Sequence, residues 1–324
     1  MTGSGNLVIP VIYPWLSGHW AFFIRRLETG RLAHALMIEG PSGCGKAMLA
    51  EAMVAKLLCR EDQAQACGKC RSCKLLVGAA HPDYFELQPE EDSEVIKVDQ
   101  VRALIAKLDL TTSISMRKVA YIHPADSMNR AAANALLKSL EEPAGDTVLI
   151  LVSDNPGSLP ATIRSRCQAI TVSQPDRQLG LDWLKSSSGK ADDEVGAALQ
   201  AAGGSPLRAA HYLSSPEFDA YKQVREGLVT LLARPAVVSL VCQQLNELDP
   251  VDLWRWLSML TGDVIKSRMT GSLSDWFPAA MSLTDKTLLQ LQQQADINRR
   301  LSATQVRGDL LLQNWLIKWA EQVI

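Results

Sequence analysis

The sequence predicts an α/β domain built on a parallel sheet, followed by helices alone. Three observations point there. Five short apolar runs in the first half alternate with helical patterns, the rhythm of a parallel sheet joined by helical crossovers. One of those runs feeds a glycine-rich turn that opens directly into a helix. Beyond Val172 no run reads as a strand, and helical periodicity continues to the end.

The elements follow in order. Residues 1–12 pass from small and polar to apolar and are expected to be a flexible extension. The first strand is Ala35–Glu39, and the helix Lys46–Leu58 follows its glycine turn. Tyr84–Leu87 is the second strand, and the next helix is Asp99–Leu108 with Asp99 as its N-cap. Val119–His123 and Val148–Val152 are the third and fourth strands. Between them lies a helix over Ala131–Leu140, stopped by Pro143 just beyond Glu141 and Glu142. Ala169–Val172 completes the sheet. From Pro175 to about Leu213, short helices are broken by SSSGKADD and AAGGSP. In the remainder, Leu253, Trp256, Leu257 and Leu260 share one helical face, as do Val306, Leu310 and Leu311 with Trp315. The tryptophans sit mostly at helical spacing in apolar runs, which predicts core packing rather than base stacking. Trp254 and Trp256 fall on different faces, so at least one is expected to meet a partner helix. The boundaries implied are 1–174 for the α/β domain, 175–214 for a small helical domain and 215–324 for a final helical domain.

Composition narrows the functional classes. With 324 residues, 47% of them hydrophobic, the chain can fill the cores of two or three domains. A net charge of −2 argues against a surface that grips nucleic acid as a whole, while leaving room for a local basic patch. No run approaches the roughly 18 apolar residues of a membrane span, and no charged stretch precedes an apolar core near the start. A cytoplasmic protein with no membrane partner is expected.

The turn after the first strand reads GPSGCGK. Gly40-x-x-x-x-Gly45-Lys46 places backbone N–H groups around an anion at a helix N-terminus, with a lysine reaching the terminal phosphates. Gly40, Gly43 and Gly45 let the backbone turn tightly and approach phosphate oxygens. The residue after the lysine should carry a hydroxyl for Mg²⁺, and Ala47 has only a methyl, which cannot ligate a hard cation. Acids should also follow the strand KVAYI, to hold the metal and orient water. His123 and Pro124 stand there instead, and Asp126 lies too far along without a rebuilt turn. Two losses in one site argue against hydrolysis. ATP binding is not expected, and the loop is expected to persist as a strand-to-helix turn kept for packing.

Of seven cysteines, four form the series Cys59-x7-Cys67-x2-Cys70-x2-Cys73. Such a cluster suits one tetrahedral Zn²⁺, because short C-x-x-C turns let sulfurs converge without strain. Lys69, Arg71 and Lys74 would offset the charge of four thiolates. An iron–sulfur cluster is the metal alternative, and unliganded reduced cysteines are the alternative without a metal. A closed four-sulfur shell leaves no place for substrate, so a structural role is expected.

Lined up, HALMIEGPSGCGK, the four-cysteine insert, HPDYFEL, NALLKSLEEP and LPATIRSRC resemble the clamp-loader branch of the AAA+ proteins, as does YPWL at Tyr13–Leu16. The resemblance covers about Tyr13 to Leu213; the final part matches by helical pattern only. It implies a RecA-like domain carrying a zinc module, a small helical lid and an all-α collar that joins five subunits in a ring. It implies a non-hydrolysing scaffold in a replicative polymerase holoenzyme, with other clamp-loader subunits as direct partners and the sliding clamp and primed DNA as indirect ones. Gly40, Gly43, Gly45 and Lys46 then match a degenerate nucleotide site, and Cys59, Cys67, Cys70 and Cys73 match the zinc module. Arg208, in GGSPLRAA, falls where a lid arginine would contact nucleotide. Arg166, in SRC, matches the arginine finger that enters the neighbouring subunit's ATP site, with Arg164 as the adjacent alternative. On composition alone, Arg166 would be a surface ion-pair partner. Two other functions stay in view: an active ATPase motor of the same complex, and a zinc-dependent nucleic-acid-binding scaffold.

Overall fold

Of the five runs, those at 35–38, 119–122 and 148–152 are apolar throughout, as a strand buried on both faces must be, and those at 84–87 and 169–172 each carry a polar residue, as an edge strand can. In the computed structural model, which describes residues 10–91, 93–271, 277, 284–302 and 307–321, the five form β1 (Ala35–Glu39), β2 (Tyr84–Leu87), β3 (Lys118–Ile122), β4 (Thr147–Ser153) and β5 (Gln168–Thr171). All pairings are parallel, in the order β2-β3-β4-β1-β5. The third strand stops one residue short of the expected His123, since Pro124 has no N–H to extend the ladder. The described residues group into two compact units. The first takes the chain to Ser187 together with Ser205–Leu207, and the second takes Ser188–Gly204 together with everything from Arg208.

In the first unit, α1 (Ser17–Glu28), α2 (Lys46–Leu58) and α3 (Arg71–Val77) cover one face of the sheet. Leu36, Ile38, Tyr121, Ile150 and Val152 point into that side. The alternate residues Met37, Ala120, Ile122, Leu149 and Leu151 point into the other. There they meet α4 (Val98–Leu108), α5 (Arg130–Glu141) and α6 (Ala161–Arg164). The period-two switch along each strand therefore feeds two separate cores. A further helix, α7 (Arg177–Ser188), closes this stretch. Helix α5 is capped by Asn129, whose Oδ1 accepts the Ala132 N–H at 2.8 Å. Helix α4 does not start at Asp99. Its N-cap is Lys97, whose N–H donates to Gln100 Oε1 at 2.8 Å, while Asp99 sits in the first turn beside Arg102. A side chain three residues on that reaches back decides the start.

Among the described residues the regular elements of the second unit are all helices: α8 (Asp192–Ala201), α9 (Pro206–Ser214, whose first two residues group with the first unit), α10 (Glu217–Ala233), α11 (Val238–Leu245), α12 (Pro250–Thr270), α13 (Asp285–Leu301) and α14 (Gly308–Ala320). Leu253, Trp256, Leu257 and Leu260 are buried on α12 as expected, and so is Trp254. Trp256 donates its indole N–H to Tyr212 Oη at 3.1 Å, and Trp254 stands edge-on to Trp315. Both faces of α12 thus meet helices of the same chain. The stripe expected on α14 is rotated: Leu310 is 51% exposed, Leu312, Trp315, Leu316 and Trp319 are buried, and Val306 lies outside the described residues. The indoles fix that rotation, because Trp315 and Trp319 donate to the buried carbonyls of Leu291 and Leu228 at 2.9 and 3.1 Å. Residues 1–9 of the expected flexible extension also lie outside the described residues. Among the described residues no helix is long and apolar enough to cross a membrane.

Candidate functional site

Three groups of residues answer to the chemistry anticipated above: the glycine loop, the arginine of SRC and the cysteine cluster. The loop follows β1 and ends where α2 begins. Its glycines are required by geometry. At Gly40, φ is 141° and an added Cβ would lie 1.9 Å from the Val172 carbonyl oxygen. Gly45 is the N-cap of α2 at φ 88°, and an added Cβ would lie 3.0 Å from the Tyr13 ring. Gly43 has φ 77°.

The lysine is already engaged. Lys46 is 4% exposed, and its Nζ lies 2.6 Å from Asp154 Oδ1 and donates to the Pro41 carbonyl at 2.6 Å. Asp154 follows the last residue of β4, and Asp126 Oδ1 accepts its backbone N–H at 3.2 Å. Sequence reasoning missed Asp154 altogether. Only the sheet order, which sets β4 beside β1, signals that its end reaches this loop.

Further groups close over the same backbone. Trp15 donates its indole N–H to the Cys44 carbonyl at 2.9 Å, and Ser205 Oγ donates to the Gly43 carbonyl at 2.8 Å. Tyr13 and Trp15 stack with ring centroids 4.9 Å apart, and Trp183 stands edge-on to both. Ala47 adds no ligand atom. His123 and Pro124 occupy the turn after β3, where acids would serve a metal. Burial pushes the His123 imidazole below its usual pKa, against the pull of Asp154 and Asp126, which favours a neutral ring.

Arg166 follows the short α6 and is held at the surface. Its Nε donates to Glu141 Oε1 at 2.7 Å, a second guanidinium nitrogen pairs with the same oxygen, and a third contact runs to the Thr162 carbonyl at 3.0 Å. Glu141 ends α5, so the ion pair anticipated from composition exists and aims the guanidinium. Arg164 is the last residue of α6 and is exposed. Arg208 lies in the second unit on α9, partly buried, one turn before Tyr212.

The sulfurs of Cys59, Cys67, Cys70 and Cys73 all lie within 4.8 Å of one another. Zn–S bonds of about 2.3 Å in a tetrahedron place sulfurs roughly 3.8 Å apart. Cys67 and Cys73 stand at 3.9 Å, too far for a disulfide and suited to a shared ion. A polynuclear iron–sulfur cluster interposes its own irons and needs wider spacing. Backbone N–H groups of Cys67, Cys70 and Cys73 donate to the sulfurs of Cys59, Cys67 and Cys70 at 3.3–3.4 Å. N–H groups of Lys69 and Cys70 draw the Cys67 thiol down to about 6, whereas burial pushes that of Cys73 up. Four sulfurs at this spacing could hold Zn²⁺ with no position left for substrate.

A family model described as DNA polymerase III, delta subunit matches residues 17–176. The DNA polymerase III subunit delta' of Pseudomonas aeruginosa is 37% identical over 330 residues, spanning 95% of this chain and 97% of its own. That of Yersinia pestis is 35% identical and spans 95% of each. That of Escherichia coli K12 is 34% identical over 78% of this chain and 76% of its own. A DNA polymerase III gamma subunit-related protein of Thermotoga maritima superposes with a TM-score of 0.51 over 94% of this chain and 99% of that one; at 18% identity it bears on the fold alone. The chain belongs to the DNA polymerase III subunit delta' family.

Proposed function

We propose that the chain is a non-hydrolysing scaffold subunit of the clamp loader that places a sliding clamp on primed DNA, and that it lends Arg166 to the ATP site of a neighbouring subunit. The observation that carries this is the bound state of Lys46. Unlike the exposed Arg166, Lys46 is buried, paired with Asp154 and roofed by the packing of Tyr13, Trp15 and Ser205 on the loop, so a phosphate would have to displace those contacts to reach it. With Ala47 beside it, a triphosphate would find neither a cation nor a metal ligand. The chain's part is then geometric. The helices of 215–324 serve as the collar of a five-subunit ring, residues 175–214 as a lid, and the four cysteines as a structural zinc module.

Arg166 supplies the chemistry. A guanidinium keeps its charge at any working pH and presents a rigid fork of donors to the equatorial oxygens of a transferring phosphoryl group. Glu141 holds that fork at the surface until the neighbour's nucleotide competes for it. In a reconstituted loader, Arg166→Ala should leave assembly intact and slow the facing ATP site by about a thousandfold, the lower end of what a finger contributes. Arg166→Lys should restore little, because a point charge does not reproduce the fork. Unchanged DNA-stimulated turnover in a fully assembled Arg166→Ala complex refutes the assignment.

A further inference from the structure

We propose that His81 is a positioning residue for the four-cysteine site. Through Ser72 and Ser115 it holds the Leu58–Cys59 peptide and the Cys70–Cys73 turn at zinc-binding spacing. The proposal rests on reading the cluster as a zinc site.

Four polar residues are buried together beside the cluster: Ser72, His81, Asp83 and Ser115, none more than 7% exposed. Their protons can be assigned by elimination. The Asp83 backbone N–H donates to His81 Nδ1 at 3.1 Å, so the neutral ring carries its proton on Nε2. Nε2 lies 2.8 Å from Ser72 Oγ and 3.2 Å from Ser115 Oγ. Both hydroxyls in turn donate to one acceptor, the Leu58 carbonyl, at 2.6 and 3.2 Å. That carbonyl ends α2, where a helix leaves its last C=O groups without internal partners. Every donor in the chain of bonds is thereby matched.

The arrangement superficially has the members of a Ser–His–Asp triad, but its wiring excludes nucleophilic catalysis. Asp83 meets the ring through its backbone N–H, and its carboxylate is spent on the N–H groups of Ser113, Ile114 and Ser115 at 2.6–2.8 Å. What the wiring joins is the metal site. The peptide clamped at Leu58 leads directly into Cys59, and Ser72 lies between Cys70 and Cys73 on α3. One imidazole therefore ties together the two backbone segments that carry three of the four sulfurs. Asp83 anchors it to the loop before β3, which keeps the frame rigid without metal.

The test uses the full chain stripped of metal and titrated with Zn²⁺ alone against a competing chelator, with Co²⁺ absorption as the signature of tetrahedral thiolate ligation. His81→Ala and His81→Asn should weaken zinc by about tenfold or more and distort the Co²⁺ spectrum. His81→Gln, which keeps an N–H near the Nε2 position, should stay within about threefold of the unchanged chain. Ser115→Ala, remote in sequence from every cysteine, should weaken zinc and provides the decisive measurement where a His81 variant does not fold. Unchanged affinity and spectrum in His81→Ala, His81→Asn and Ser115→Ala overturn this proposal alone, as does a glutamine no better than alanine. A chain that takes up no zinc before any substitution overturns the zinc reading with it.

Discussion

Lys46→Ala separates a structural loop from a nucleotide-binding one. The substitution removes a charge-assisted hydrogen bond to the Pro41 carbonyl from a side chain that is 4% exposed. Such bonds contribute about 1.5–3 kcal/mol. It also removes the ion pair with Asp154, whose side chain is 48% exposed. Water screens that end of the pair and limits it to about 0.5 kcal/mol. The lysine regains hydration in the unfolded chain, which offsets part of the sum. A net loss of about 2 kcal/mol remains, and in a unit of this size that lowers the melting temperature by about 4–8 °C. Thermal unfolding of the pure chain measures this directly. The matching functional assay is DNA-stimulated ATPase of a reconstituted loader containing the variant, expected to equal that of the unsubstituted complex below the melting range. An unchanged melting temperature with a large fall in complex ATPase would mean that Lys46 serves nucleotide, and the scaffold assignment would be lost.

Two further substitutions probe the same unit. Burial, and then the charge of Glu86, raise the Glu51 carboxyl from 4.5 to about 7. Between those values the folded chain holds a proton that the unfolded chain has released, so this group costs stability as pH rises through the window and costs most above it. Glu51→Gln should therefore melt several degrees above the unsubstituted chain at pH 8 and level with it near pH 4; equal differences at both pH values would exclude the linkage. Gly40→Ala forces a Cβ to 1.9 Å from the Val172 carbonyl at a φ of 141°, so backbone must move on one strand or the other. A cost of about 3–5 kcal/mol is expected by chemical denaturation, and a change below about 1 kcal/mol would show that β5 yields freely.

Much of the first unit could be read from local pattern, because the restraints there are local. The run at Ala35–Glu39, a central strand buried from Ala35 to Ile38, and the run at Tyr84–Leu87, an edge strand with Glu86 exposed, coincide with strands to the residue. The glycine loop was legible for a similar reason: Gly40 and Gly45 answer to backbone angles and close approach, which each position carries by itself. The cysteine cluster was legible from spacing. Helix termini were less so, since Gln100 rather than Asp99 decides where α4 begins. The buried stripe of α14 escaped because two indoles select acceptors on other helices, and hydrophobic period alone would as readily have buried Leu310.

From its sequence alone this protein is determined to be a parallel α/β unit with a phosphate-type loop lacking its metal ligands, a four-cysteine insert and a helical remainder. Those features are written in residue type and spacing, which survive any arrangement of the rest. Only the tertiary structure decides that Lys46 is paired with Asp154, that Trp15 and Ser205 cap the loop carbonyls, that Glu141 aims Arg166, and that His81 braces two cysteine-bearing segments. Each of these contacts joins residues brought together by the sheet order and by helices packed on it. The energy of a buried charge or hydrogen bond depends on which partner arrives, and that is settled by the fold as a whole.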